Sequence, residues 1–362
     1  MSGANKEHFS HVEHIDLLVR FILTAPALVI VMLAPFAGGL SDKYGRKKLL
    51  TFAIVVFGIA GSAGLYLTSL WSILLSRALV GASIAFVMTI STALVADYFP
   101  AGPSRESFMS KQSAFFGLGG LFFLTLGGFL SDLGWRAPFA VYLSALILPY
   151  FIWKYLVEPS SHLLNLKGTT SYEQRDWKRA ITVLLTMSFL NSLTFYLLPT
   201  QLPFLIKELN IGSSGFSGIA IGLSTLISSL ASLQYMKLRK RAGFSTVFFL
   251  GFLFMSAAYL MLGNMQSKGM VIAAMIVAGL GMGIIMPNAV AASMSFAPEK
   301  LRGRVAGGLT TSIFLGQFIS PLASQPWSHT FSLPQTFEHA GLLLILVSIS
   351  SLVLKGIIEG RA

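Results

Sequence analysis

Acidic side chains are scarce, and none lies deep in an apolar stretch. Asp16, Asp42, Asp97, Asp132 and Glu158 fall at the ends of apolar runs, and the rest are in loops or tails. The densest chemistry is Gly38-Gly39-Leu40-Ser41-Asp42-Lys43-Tyr44-Gly45-Arg46-Lys47-Lys48, one carboxylate among four cations. Such an acid accepts hydrogen bonds from Arg46 and from the N–H groups of a helix N-terminus, where the dipole favours an anion. Gly38 allows helices to approach closely, and Gly45 allows a tight turn. Arg77 lies inside an apolar run, where a buried guanidinium costs about 2.5–3.5 kcal/mol and needs a cavity or a partner. Its place about two turns from the outer end of the run also allows it to snorkel. Asp16 and Arg20 form an (i, i+4) pair that serves either as a titrating group or as a rim ion pair. The deep polar residues are Asn191, Asn288 and Gln317, each of which must find a partner or face water. Phe195 and Tyr196 lie near Asn191, which suggests an amphiphilic pocket tolerant of aromatic ligands.

Other chemistries are excluded or disfavoured. The chain has no Cys, so disulfides and thiolate chemistry are absent. All six His lie in loops or near the ends of runs, so no nucleophile, base or metal-ligand set stands at depth. The expectation is a protein that is not an enzyme, with no metal and no cofactor. Gly279-Leu280-Gly281-Met282-Gly283 and Gly117-Leu118-Gly119-Gly120 lie within apolar runs and follow no strand. They read as small residues at helix crossings rather than nucleotide loops.

The elements that position these groups follow from composition. Of 362 residues, 54% are hydrophobic and 11% charged, against about 25% charged in a soluble domain. Eleven apolar runs have spanning or near-spanning length. They are Leu17–Leu40, Leu49–Leu70, Trp71–Val95, Ser113–Leu130, Ala137–Leu156, Ala180–Leu205, Phe216–Leu233, Phe244–Leu262, Met270–Met294, Val305–Ala323 and Ala340–Leu354. Only Thr68-Ser69 splits the second from the third. The runs are too long and too uniformly apolar for the strands of a membrane barrel.

The net charge is +12, and its location argues for cytoplasmic retention of loops rather than nucleic-acid binding. Of 26 basic residues, twenty fall in alternate loops and the C-terminal tail. Lys6, Arg136, Lys207 and Lys268 face the other side, and Arg20 and Arg77 lie within runs. This bias predicts a cytoplasmic C-terminus and an N-terminus outside. Met1–Asp16 is polar with no apolar signal, so the reading expects a further apolar segment upstream. The predicted division is an N-terminal bundle of five helices over 1–156, a cytoplasmic linker over 157–179 and a C-terminal bundle of six over 180–362. Phe99-Pro100, Arg105 and Phe116-Gly117 are echoed by Phe296-Ala297-Pro298, Arg302 and Leu315-Gly316, a spacing that suggests an internal repeat.

The segment from Gly38 to Lys48 resembles the signature loop of the major facilitator superfamily: Gly, any, Leu, small, Asp, basic, any, Gly, basic, basic. The resemblance extends over essentially the whole chain, because helix order and loop charge agree with it. It implies an all-α membrane protein of two pseudo-symmetric bundles, here lacking the first family helix. It also implies secondary transport by alternating access. Asp42 becomes a latch and sensor, with Lys43, Arg46 and Lys47 as its basic surround. Leu75–Gly81 resembles the family's Arg-containing motif, which makes Arg77 a coupling candidate. Gly127–Leu130 and Gly134–Arg136 resemble the end of the fifth helix of drug–proton antiporters, although Phe123-Leu124 stands where that group has Gly-Pro. The leading expectation is proton-coupled efflux of small organic molecules by a monomer in a bacterial inner membrane. The alternatives are a sugar, metabolite or siderophore transporter of the same superfamily, or a truncated, inactive chain. The implied partners are a small-molecule substrate, protons and the lipid bilayer, with no nucleic acid.

Overall fold

A computed structural model describes residues 15–99, 103–158, 177–298 and 301–359. Within them the side chains of Asp16, Arg20 and Asp42 lie outside the described residues. The described residues are predominantly helical, and eleven segments are long and apolar enough to cross a membrane.

Four of the five segments at the N-terminal end belong to a first compact unit, made of the described residues up to Lys111 together with Leu133–Glu158. Its helices are α1 (Ile15–Tyr44), α2 (Arg46–Gly61) and α3 (Leu70–Tyr98), then the start of α4 (Pro103–Leu133) and α5 (Leu148–Tyr155). Two 3₁₀ segments, Ser62–Leu65 and Ala137–Ile147, extend α2 and lead into α5. Residues Tyr66–Ser69 are not helical, so the break read at Thr68-Ser69 separates two spans. In a 3₁₀ helix residues i and i+3 eclipse, which stacks Phe139 and Tyr142 on one face. That face meets a column of small residues: a Cβ added at Gly58, Gly61 or Gly64 would strike Leu146, Tyr142 or Phe139 at 2.4, 2.1 and 2.4 Å. Close approach of this kind is how helices associate where lipid removes the hydrophobic drive.

The second unit combines Gln112–Asp132 with the described residues from 177 onward. Its further helices are α6 (Trp177–Phe195), α7 (Leu197–Glu208), α8 (Ser214–Arg241), α9 (Phe244–Gly263), α10 (Lys268–Phe296), α11 (Arg302–Thr330), α12 (Leu333–Val353) and the short α13 (Lys355–Glu359). The run Ala180–Leu205 is broken at Tyr196, where Pro199 in the next turn cannot donate back to the helix. Helix α9 is the centre of this unit: Phe248, Phe252, Met255 and Tyr259 are fully buried. The Tyr259 hydroxyl donates to the Thr194 carbonyl. Ser256 and Ser348 donate to the carbonyls of Gly341 and Phe249, both at 2.8 Å, which ties α9 to α12. The Gly279–Gly283 cluster does lie at helix crossings. A Cβ at Gly279 or Gly283 would meet the Ser224 or Ser228 carbonyl of α8, and one at Gly281 the Gly251 carbonyl of α9.

The division into 1–156 and 180–362 assigns all of α4 to the first bundle, whereas Gln112–Asp132 packs with the second unit. The reason is a facing pair of small-residue stripes. Gly117, Gly120 and Gly128 of α4 meet Ser229, Thr225 and the Ser214 carbonyl of α8, and Gly218 meets the Leu124 carbonyl at 2.4 Å from an added Cβ.

Candidate functional site

The signature segment is mostly helix rather than loop. Helix α1 continues through Tyr44, and α2 begins at Arg46, leaving Gly45 alone between them. Gly45 has φ 92°, a backbone conformation that disfavours any side chain, which accounts for a glycine there. Ser41 donates to the Gly38 carbonyl at 2.7 Å, and Gly45 N–H to the Ser41 carbonyl at 3.1 Å. The close approach expected at Gly38 is not found, because an added Cβ would only touch Thr89 at 3.7 Å.

The charges around this turn pair over long sequence distances. The Arg46 guanidinium pairs with Asp97 at the end of α3, both half-buried. The N-terminus of α2 holds Glu158: its Oε1 accepts from Arg46 N–H at 2.6 Å and its Oε2 from Lys47 N–H at 2.9 Å. A carboxylate chelating two free N–H groups is favoured both by the helix dipole and by charge-assisted hydrogen bonding. The sequence reading lets Asp42 accept from Arg46 and from a helix N-terminus, and its side chain lies outside the described residues. Among the described residues the helix-terminus anion is Glu158 and the Arg46 partner is Asp97, acids the sequence places only at the ends of runs. Lys47 Nζ donates to the Trp153 carbonyl at 3.0 Å and lies 5.0 Å from the centre of that residue's ring. Lys43 and Leu40 are exposed.

Arg77 is 4% exposed, so it does not snorkel. One terminal guanidinium nitrogen donates to the Ala60 and Gly61 carbonyls at 2.8 and 2.7 Å. These carbonyls end α2, where a cation complements the dipole. The guanidinium carbon lies 5.0 Å from the Phe139 ring centre and 5.2 Å from that of Tyr142. The eclipsed pair on the 3₁₀ segment thus covers the cation that terminates α2.

In the second unit the three deep amides have different surroundings. Asn288 is fully buried: its carbonyl oxygen accepts from Tyr235 of α8 at 3.2 Å and its amide donates to the Phe244 carbonyl at 2.9 Å. It braces α8, α9 and α10. Asn191 donates weakly to the Met286 sulfur at 3.5 Å, and its buried carbonyl oxygen has no partner among the described residues. Gln317 is half-buried on α11. Phe195 and Tyr196 are half-buried, with ring centres 6.4 Å apart. Two contacts were not anticipated. Gln201 of α7, fully buried, donates to Ser324 of α11 at 2.8 Å, and its carbonyl oxygen has no partner among the described residues. Asp132 accepts from the Ser214 and Gly215 N–H groups at 3.1 and 2.9 Å and so caps α8. The rule that singled out Asn191 applies equally to Gln201, a polar amide between Pro199 and Pro203 in an apolar run.

The sequence profile of the Major Facilitator Superfamily matches residues 9–354. The chain belongs to that superfamily. Multidrug resistance protein 2 of Bacillus subtilis strain 168 is 30% identical over 175 residues, which cover 47% of this chain and 44% of that protein. The niacin transporter NiaP of Acinetobacter baylyi is 29% identical over 133 residues, 36% of this chain and 30% of the relative. Quinolone resistance protein NorA of Staphylococcus aureus is 29% identical over 118 residues, 33% and 30% respectively. The matched stretches thus span less than half the length of these relatives. In fold, the chain is similar to a peptide transporter POT in complex with sulfate, with a TM-score of 0.77 at 13% identity over 94% of this chain and 86% of that one. A POT family transporter in complex with 5-aminolevulinic acid gives 0.78 at 12% identity, over 94% and 88%. The chain is an integral membrane protein with the major facilitator fold.

Proposed function

We propose that this superfamily member is a secondary active carrier that exports small organic molecules by alternating access and couples export to protons. The observation that carries the reading is the built charge cluster at the α1–α2 turn. A one-residue glycine link, the Arg46–Asp97 pair and Glu158 on the α2 N-terminus hold this segment in one shape. A mere topogenic anchor needs cations but neither the acids nor the glycine geometry. In this reading Asp42 is the acid that answers to conformational state, with Lys43, Arg46 and Lys47 around it, and Asp16 and Arg20 are outer coupling candidates. Asn191, Phe195, Tyr196 and Gln317 are substrate contacts, and Asn191 is the strongest of them because its buried oxygen is unspent. Two relatives are named as resistance proteins, which supports export. The loop charge bias supports a cytoplasmic C-terminus in a bacterial inner membrane, and the carrier works as a monomer.

The test is flux of a fluorescent organic cation into inside-acid proteoliposomes. Uptake that needs the pH gradient and stops with a protonophore is expected. Asp42→Asn lowers the rate about tenfold, a rise of about 1.4 kcal/mol in the barrier, at equal amounts of inserted protein. Uptake indifferent to the gradient overturns proton coupling, and wild-type flux by Asp42→Asn overturns the latch. A second reading, carriage of a small organic acid, is favoured by the similarity to a niacin transporter. Saturable niacin flux with no cation flux establishes it instead.

A further inference from the structure

An open groove of about 420 Å³ runs along the first unit between α2, α3 and α5. Ile54, Leu148 and Phe151 line its inner part, and Tyr98, Tyr155 and Val157 its mouth. Leu148 lies seven residues from Tyr155 and Ile54 eight from Arg46, so the groove extends about 10–12 Å from the helix ends into the span. Its walls are apolar, and most of the side chains on them are exposed on the face of the unit. This volume falls in the range of small-ligand sites.

The mouth has a different chemistry. Tyr98 and Tyr155 are exposed there, and Tyr150 and Trp153 are exposed on the same helix as Tyr155, amphipathic rings of the kind that mark headgroup depth. Cations stand over them. Lys154 Nζ is 5.3 Å from the Tyr155 ring centre and 5.6 Å from that of Tyr150, and Lys47 Nζ is 5.0 Å from that of Trp153. Lys48 is exposed on the next position of α2. Against these, Asp97 is paired with Arg46, and Glu158 is held by two backbone N–H groups. The mouth is therefore net positive while the interior is apolar.

We propose that this groove is a binding site for one anionic phospholipid, its acyl chain beside Leu148 and Phe151 and its headgroup phosphate at Lys154 and Lys47. An organic cation suits the apolar part but is repelled at the mouth. A zwitterionic lipid gains the apolar contact and little net charge interaction. The site does not depend on the direction or coupling of transport, nor on which leaflet the collar occupies.

The test is native mass spectrometry of the delipidated full chain in mild detergent, titrated with phosphatidylglycerol or phosphatidylcholine. One lysine near an anionic headgroup is worth about fivefold in affinity. Phosphatidylglycerol is expected to be retained at about fivefold lower concentration or better. Lys154→Gln removes about fivefold of that preference, and Lys154→Arg keeps it. Leu148→Trp, which fills the inner groove from an exposed position, weakens retention of both lipids. Equal retention of the two lipids overturns the proposal. So does phosphatidylglycerol retention that survives Leu148→Trp unchanged, since it would mark diffuse attraction to the basic surface.

Discussion

Replacing Arg77 by methionine tests whether the guanidinium is a structural terminator of α2 or a group turned towards water. The structure gives it two carbonyl acceptors and two aromatic faces, all within a buried setting. A hydrogen bond to a charged group contributes about 1.5–3 kcal/mol, and a desolvated cation–π contact about 1–2 kcal/mol. Two bonds and two ring contacts amount to about 5–10 kcal/mol, and removing the charge returns about 2.5–3.5 kcal/mol of insertion cost. The net loss is at least about 2 kcal/mol. For a chain of this size one kcal/mol shifts Tm by about 2 °C, so Arg77→Met should melt at least about 4 °C lower. Arg77→Lys keeps the charge, but a compact ammonium cannot both reach two carbonyls and present a flat face to the rings. It should fall between, at about 2–3 °C below wild type. Thermal unfolding of the purified protein in one detergent, at a fixed scan rate, reads both shifts. An unchanged Tm for Arg77→Met refutes the reasoning, and so does equality of Lys and Met.

Gly45→Ala places a Cβ at a positive φ and should cost about 1–2 kcal/mol, read as a fall of about 2–4 °C in Tm; no change would mean that the link relaxes freely. Asn288→Ala removes the two hydrogen bonds that tie α10 to Tyr235 and to Phe244 and should destabilise by about 2 kcal/mol. Asn191→Ala, with one weak bond to lose, should melt within about 1 °C of wild type and alter flux instead. Thermal unfolding and proteoliposome flux measured on the same preparations separate the two amides. Gly128→Leu drives a side chain into the Ser214 carbonyl, 2.6 Å from the added Cβ. It should part α4 from α8, so a wild-type melting profile would count against that crossing.

The spans were legible because lipid imposes a harsh rule: every backbone group must be satisfied internally. That rule turns eleven apolar runs into eleven helical segments. The break within the run from Ala180 was not legible, because its cause is local backbone chemistry at Tyr196 and Pro199 inside uniformly apolar sequence. The signature segment was legible as a motif but not as a shape. Ser41 through Tyr44 lie beyond the apolar run that ends at Leu40, yet they continue α1. Partners were the least legible part. Arg46 finds Asp97 about fifty residues away and its own N–H finds Glu158 more than a hundred away, and nothing local in a sequence reports such pairings. The three deep amides make the same point: Asn191 and Asn288 are one residue type in equivalent apolar settings. Only the neighbour Tyr235 makes one a brace, while the other is left with an unused oxygen.

The covering of Arg77 also sets an order of events during biogenesis. The carbonyls it binds belong to the preceding helix and are present when α3 leaves the ribosome. The rings that cover it arrive roughly sixty residues later, which at about 5–20 residues per second is a delay of several seconds. Through that interval the nascent α3 carries a cation into the membrane with only the end of α2 to hold it. The hairpin of α2 and α3 is therefore the unit that must stay together in the translocon, and Phe139 and Tyr142 act afterwards as the closure that makes its arrangement permanent.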